Sequence, residues 1–131
     1  MVVIITFGTF DLLHIGHINM LKRCKEYGDK LIVGVSSDKL NYFKKSRNPI
    51  FTEDDRMAII ENLKDVDEVF LEESLELKEQ YIKKHNADIF IIGDDWEGKF
   101  DHLNTVCKVI YLPRTENIST TLIIDNIKEY L

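Results

Sequence analysis

Short apolar runs alternate with segments of helical periodicity along the whole chain. Val2–Phe7 is the first run and is rich in β-branched residues. Ile15–Tyr27 follows with a spacing that puts Ile18, Leu21 and Cys24 on one helical stripe. Leu31–Val35 is the second run. The polar, basic stretch 37–50, broken by Pro49, reads as a loop. Thr52–Leu63 reads as a helix, opened by Thr52 with Asp55 three residues on. Val66–Leu71, Asp88–Ile92 and Val106–Leu112 are three further apolar runs. Leu75–His85 and Ser119–Tyr130 are helices, with Leu77, Tyr81 and Ile82 turned inward in one and Ile123, Ile124 and Ile127 in the other. Strands that read as continuous apolar runs and alternate with helices predict a parallel sheet covered on both faces. Right-handed crossovers then give an α/β fold: a single Rossmann-like, doubly wound, parallel five-stranded sheet with helices on both faces, occupying residues 1–131.

Composition narrows the partners. Net charge is −6, and no long basic stripe of the kind that grips a nucleic-acid backbone is visible. A local pocket can still bind a small anion. No stretch approaches the roughly 20 apolar residues of a membrane span, and the N-terminus has no basic region of a signal peptide. Cys24 and Cys107 stand far apart and read as core residues of a reducing compartment. The expectation is a cytoplasmic protein with neither nucleic acid nor membrane as partner.

The architecture says where to look for chemistry, because ligands of open α/β sheets bind beyond the carboxyl ends of the strands. "GTFDLLHIGH" at 8–17 lies there, with His14 and His17 three apart on a helix start. Histidines beside the free amides of a first turn suit phosphate oxygens. The alternatives are a pair of surface histidines or a zinc site, and no Cys/His cluster supports the latter. "PRTENISTT" at 113–121 offers a second anion cradle, with Arg114 as a planar fork and Ser119, Thr120 and Thr121 at the mouth of the last helix. Two helix-mouth cradles on one sheet edge point to a triphosphate. Lys44, Lys45 and Arg47 read either as phosphate contacts or as a solvated charge run. Trp96 reads as packing or an interface anchor, and Glu72, Glu73, Glu76 and Glu79 as an exposed acidic face.

These residues resemble a known family. "GTFDLLHIGH" is similar to the HxGH signature of nucleotidylyltransferases, and "RTENISTT" to the RTxGISTT signature of their cytidylyltransferase branch. "GDDWEGKFD" at 93–101 and "YLPRTE" at 111–116 are similar to bacterial glycerol-3-phosphate cytidylyltransferases, over essentially the whole chain. The resemblance implies transfer of CMP from CTP to sn-glycerol 3-phosphate or another polyol phosphate. It also implies magnesium or another divalent cation accompanying CTP, a homodimer, and a product used for teichoic-acid or capsular polymers. By residue, it implies catalytic roles for His14, His17, Lys44 and Arg114. It places Thr9, Phe10, Asp94, Ser119, Thr120 and Thr121 with those histidines and Arg114 at the nucleotide. It places Asp11, Lys44, Arg56 and Lys64 at the acceptor, Asp11 also being a candidate near the metal.

The chain departs from the family pattern at several points. Ile15 replaces an aromatic residue within HxGH, Asn117 replaces the glycine of RTxGIS, Lys64 replaces an arginine, and the segment 44–50 is one residue longer. Asn tolerates positive φ, so the turn at 117 can form. Two other readings remain at this point: an adenylyl-transferring relative, for which ISTT in place of ISST is the contrary sign, and a nucleotide-binding module without turnover, against which the paired histidines and Arg114 stand.

Overall fold

The computed structural model describes residues 1–131. Five strands form one wholly parallel sheet in the order β3-β2-β1-β4-β5. They are β1 (Val3–Gly8), β2 (Lys30–Ser36), β3 (Glu68–Glu72), β4 (Ile89–Gly93) and β5 (Lys108–Leu112). The helices are α1 (Ile15–Lys25), α2 (Asp38–Lys45), α3 (Glu53–Glu61), α4 (Lys78–Lys84) and α5 (Thr120–Tyr130), with short 3-10 turns at Leu75–Leu77, Asp94–Trp96 and Asp101–Thr105.

The alternation of strand side chains divides the core into two layers. Ile4, Leu31, Val33 and Ile91 point to one face, where Leu21 and Cys24 of α1 and Ile60 of α3 cover them. Ile5, Ile32, Phe90 and Ile92 point to the other, under Ile82 of α4 and under Phe100 and Leu103. This is the doubly wound arrangement expected from the apolar runs. Strand order reverses between β1 and β4, and a crevice opens at such a switch point beyond the strand ends.

Several boundaries differ from expectation. The segment 37–50 is not all loop, because α2 occupies Asp38–Lys45. Ser37 caps it by accepting the Leu40 amide at 3.0 Å, Leu40 and Asn41 are its buried residues, and Ser46 ends it with φ of 57°. β3 begins at Glu68 instead of Val66, since Val66 and Asp67 still belong to the turn that delivers the Asp67 amide to the Leu31 carbonyl. β5 likewise starts two residues late, after Val106 has closed a 3-10 turn. α5 buries none of its residues, and Ile127 of its expected inward stripe is 51% exposed. Trp96 packs beside Phe100 at the edge of the core. No helix is long and apolar enough to cross a membrane.

Candidate active site

The loop after β1 makes an abrupt turn, with Phe10 and Leu12 both in the left-handed region at φ of 56° and 50°. Non-glycine residues held there cost of order 1–3 kcal/mol each and cluster at functional sites. The turn delivers His14 to the N-cap of α1. His14 Nδ1 accepts the Gly16 amide at 3.0 Å, and His17 Nδ1 accepts the His14 amide at 3.1 Å. Each ring therefore fills its Nδ1 lone pair and carries its proton on Nε2, which leaves Nε2–H free to donate. A Cβ on Gly16 would lie 2.8 Å from the His14 ring, so only glycine lets that ring fold back over the helix start. Burial, reinforced by His14 and Arg114, holds the His17 pKa down at about 4, and burial with Arg114 also lowers that of His14. Both are neutral hydrogen-bond donors at pH 7.

Around them lies a cleft of about 910 Å³, near the top of the roughly 300–1,000 Å³ typical of ligand sites. Arg114 enters it after β5 and meets Asp95 only loosely, at 3.5 Å with both side chains about half exposed. Its fork therefore remains largely available. Ser119 caps α5 by accepting the Leu122 amide at 3.0 Å, the Thr120 hydroxyl donates to the Asp11 carbonyl at 2.8 Å, and Thr121 lines the cleft. The Thr120 and Thr121 amides, the first two of α5, are left without a partner, as is usual at a helix start. Asn117 stands at φ of 63°, the left-handed conformation that a glycine would supply. Lys44, Lys45 and Arg47 also line the cleft, and partial burial holds both lysine pKa values below the ordinary one. The cleft is thus locally cationic in an acidic chain, which concentrates anions there.

The remaining expected residues divide: Thr9, Phe10 and Asp11 line the cleft, whereas Arg56, Asp94 and Lys64 lie outside its lining. Arg56 is fully buried, outside the cleft lining. Its guanidinium donates to the carbonyls of Phe51, Thr9 and Ser36 at 3.0, 2.9 and 2.7 Å and pairs with Asp38 at 2.7 Å. Arg56 thereby fixes the ends of β1 and β2 under the cleft. The Asp11 carboxylate is taken up by the Ile50 and Phe51 amides at 2.7 and 2.9 Å, so its part is to hold the 48–51 segment against the HxGH loop. Phe10 turns its ring into the core, edge-on to His17 with centroids 5.4 Å apart. The Thr9 hydroxyl donates to Asn41 at 2.6 Å. Asp94 is exposed and lies outside the cleft lining, whereas its neighbour Asp95 lines it. Lys64 is exposed and also lies outside.

Two cleft residues were not expected. Glu72 is 1% exposed and Lys78 3%, and they form an ion pair at the cleft floor. Glu72 therefore does not share the exposed acidic face of Glu73, Glu76 and Glu79.

The fold and the two anion cradles define a nucleotidyl-transferring α/β domain, and the chain belongs to the cytidylyltransferase-like family, whose model matches residues 5–126. Among its relatives, the glycerol-3-phosphate cytidylyltransferase of Bacillus subtilis is 51% identical over 124 residues, covering 95% of each chain. That of Staphylococcus aureus is 46% identical over 120 residues, covering 92% of this chain and 90% of its own. The FAD synthase of Thermococcus sibiricus is more distant, at 35% identity over 96% of this chain and 92% of its own. A lipopolysaccharide core biosynthesis protein from Thermoplasma volcanium superposes with a TM-score of 0.75 at 30% identity, over 88% of this chain and 99% of that one.

Proposed function

We propose that the enzyme transfers CMP from CTP to sn-glycerol 3-phosphate, giving CDP-glycerol and pyrophosphate. The observation that carries this reading is the convergence of neutral Nε2–H donors, the Arg114 fork and the open mouth of α5 on one cleft. Identity near 50% to glycerol-3-phosphate cytidylyltransferases supports the choice of nucleotide and acceptor over the more distant FAD synthases.

An acceptor phosphate oxygen attacks the α-phosphorus of CTP in line. The bond from that phosphorus to the bridging oxygen breaks, and pyrophosphate leaves with the electron pair. The acceptor is already an anion, so no side chain has to generate a nucleophile. Positioning and charge neutralisation supply the acceleration. His14 and His17 donate to oxygens on which charge grows. Arg114 and the α5 mouth hold the β- and γ-phosphates. Lys44, assisted by Lys45 and Arg47, neutralises the acceptor phosphate.

The residues present do not form a metal cage. No group of three His, Cys, Asp or Glu side chains converges, and both Asp11 oxygens serve backbone amides. In this reading a divalent cation would accompany CTP and would supply charge neutralisation at the phosphates, with no side-chain cage of this chain to hold it. The reading further makes the enzyme a cytoplasmic homodimer whose product feeds teichoic-acid or capsular polymers. Pyrophosphate release measured with each of four nucleoside triphosphates and a panel of polyol phosphates tests the assignment. CTP with glycerol 3-phosphate is the expected best pair, and equal use of ATP overturns it.

A further inference from the structure

One stripe of α1 faces the segment that joins β5 to α5. Gly16, Asn19 and Arg23 are spaced three and four apart, which sets them along one side of the helix. Against them lie Ile118, Thr115 and Pro113, in reverse order. A Cβ on Gly16 would stand 3.2 Å from Ile118 Cγ2. Asn19 Nδ2 donates to the Thr115 hydroxyl at 3.2 Å, and Arg23 Nη1 donates to the Pro113 carbonyl at 2.7 Å. The segment therefore runs antiparallel to α1, along about 10 Å of helix at 1.5 Å per residue.

Arg114 sits between the two bonded positions, and little else holds it. Residues 113–118 make no backbone–backbone hydrogen bond. The Arg114 side chain meets only Asp95, loosely, at 3.5 Å. The two donors from α1 act on the chain at either side of it. The Pro113 carbonyl belongs to the same planar peptide unit as the Arg114 amide, and the Pro113 ring fixes the φ that precedes that unit. Arg23 thus pins the plane from which Arg114 departs, and Asn19 pins the next residue. Helix energetics alone do not call for these side chains. Asn is a weak helix former, yet Asn19 occupies the middle of α1. A cation in the last turn suits the helix dipole, but Lys22 and Lys25 already supply that.

The same helix begins with His14 at its N-cap and His17 in its first turn. A triphosphate gripped by the histidines at one point and by Arg114 at another needs the two grips at a fixed separation, since small misplacements at a reacting centre are costly. We infer that Asn19 and Arg23 are positioning residues: they bind the Arg114 segment to the histidine helix, so that both grips on the triphosphate move as one body. This rests on the cytidylyltransferase reading above, in which Arg114 holds the β- and γ-phosphates.

The test is a mutant cycle between this brace and Arg114, read as pyrophosphate release. Asn19→Ala/Arg23→Met removes both donors and keeps an apolar stem at position 23. In the otherwise wild-type enzyme it should raise the KM for CTP and, in the reverse direction, for pyrophosphate by roughly 5- to 50-fold, the order of two intramolecular hydrogen bonds. The KM for glycerol 3-phosphate should stay within about twofold. In an Arg114→Ala background, the same double substitution should change kcat/KM for CTP by less than about twofold, because the group it positions is gone. A loss of equal size in both backgrounds overturns the inference and marks the two side chains as merely structural. An unchanged KM for CTP overturns it, and so does an equal rise in the KM of both substrates. If the double variant lacks a cooperative thermal transition, Arg23→Met alone carries the same cycle. Additive losses in an enzyme that does transfer CMP overturn this inference alone. Absence of CMP transfer from CTP to every phosphate monoester overturns the reading beneath it as well.

Discussion

The His14 amide donates to His17 Nδ1 at 3.1 Å, and the two rings stack with centroids 3.8 Å apart. That bond fixes the proton of His17 on Nε2, while the Gly16 amide does the same for His14. A donor poised where charge develops is worth about 10²–10³ in kcat. His14→Ala and His17→Ala should each lower kcat by that order while CTP affinity changes far less. A variant of normal turnover would remove the pair from the chemistry.

The same geometry sets a pH dependence of stability. His17 binds a proton near 6.5 when unfolded and near 4 when folded. Between those values the unfolded chain holds the extra proton, so stability falls as pH drops from 6.5 toward 4. His17→Gln removes this contribution. Urea midpoints at about pH 7.5 and pH 5 should lie closer together for that variant than for the wild type. An equal separation would contradict the depressed pKa.

Catalysis should follow a different ionisation. With His17 neutral well below pH 6, the acidic limb of kcat/KM for the acceptor belongs to the acceptor's second phosphate pKa of about 6. Replacing the phosphate by a phosphonate should move the limb upward, and fluorination at the bridging carbon should move it back. A limb that stays fixed across the series would identify an enzyme group as the base.

Arg114 keeps its fork largely free, since Asp95 is 3.5 Å away and both side chains are exposed. Arg114→Lys retains the charge and loses the bidentate geometry. The KM for CTP and, in the reverse direction, for pyrophosphate should both rise. Equal kinetics for the two enzymes would mean that Arg114 acts only as a diffuse charge.

Arg56 separates a buried anchor from a ligand contact. Arg56→Met leaves three carbonyls and Asp38 without their partner, a loss of about 3–5 kcal/mol by analogy with broken buried pairs. The urea midpoint should fall accordingly. Unchanged stability with a raised KM for the acceptor alone would restore Arg56 to the ligand.

The strands and both cradles were legible because their signals are local. Apolar runs, two histidines at a helix start and an arginine before a hydroxyl-rich helix mouth need no distant partner to be read. The misplaced residues depend on distant partners. Arg56 sits among acidic neighbours, but its ion pair is with Asp38 on another helix. Glu72 belongs to an acidic run, yet it ends β3 facing Lys78, which folds back over it from α4. Asp94 and Asp95 are chemically identical, and only the 3-10 turn decides which one faces Arg114. α2 was hidden because just Leu40 and Asn41 of its basic sequence turn inward.

α5 carries one of the two anion cradles without burying a single residue. It is held by its Ser119 cap and by the Thr120 hydroxyl on the Asp11 carbonyl. An element with so little apolar anchorage opens at a free energy well below that of the sheet. Its amides should therefore exchange with solvent by local unfolding long before those of β1 and β2 exchange by global unfolding. A triphosphate seated on its first turn would bind only the closed helix and slow that exchange in proportion to its occupancy, so the protection of α5 amides gives a direct measure of nucleotide binding, independent of turnover.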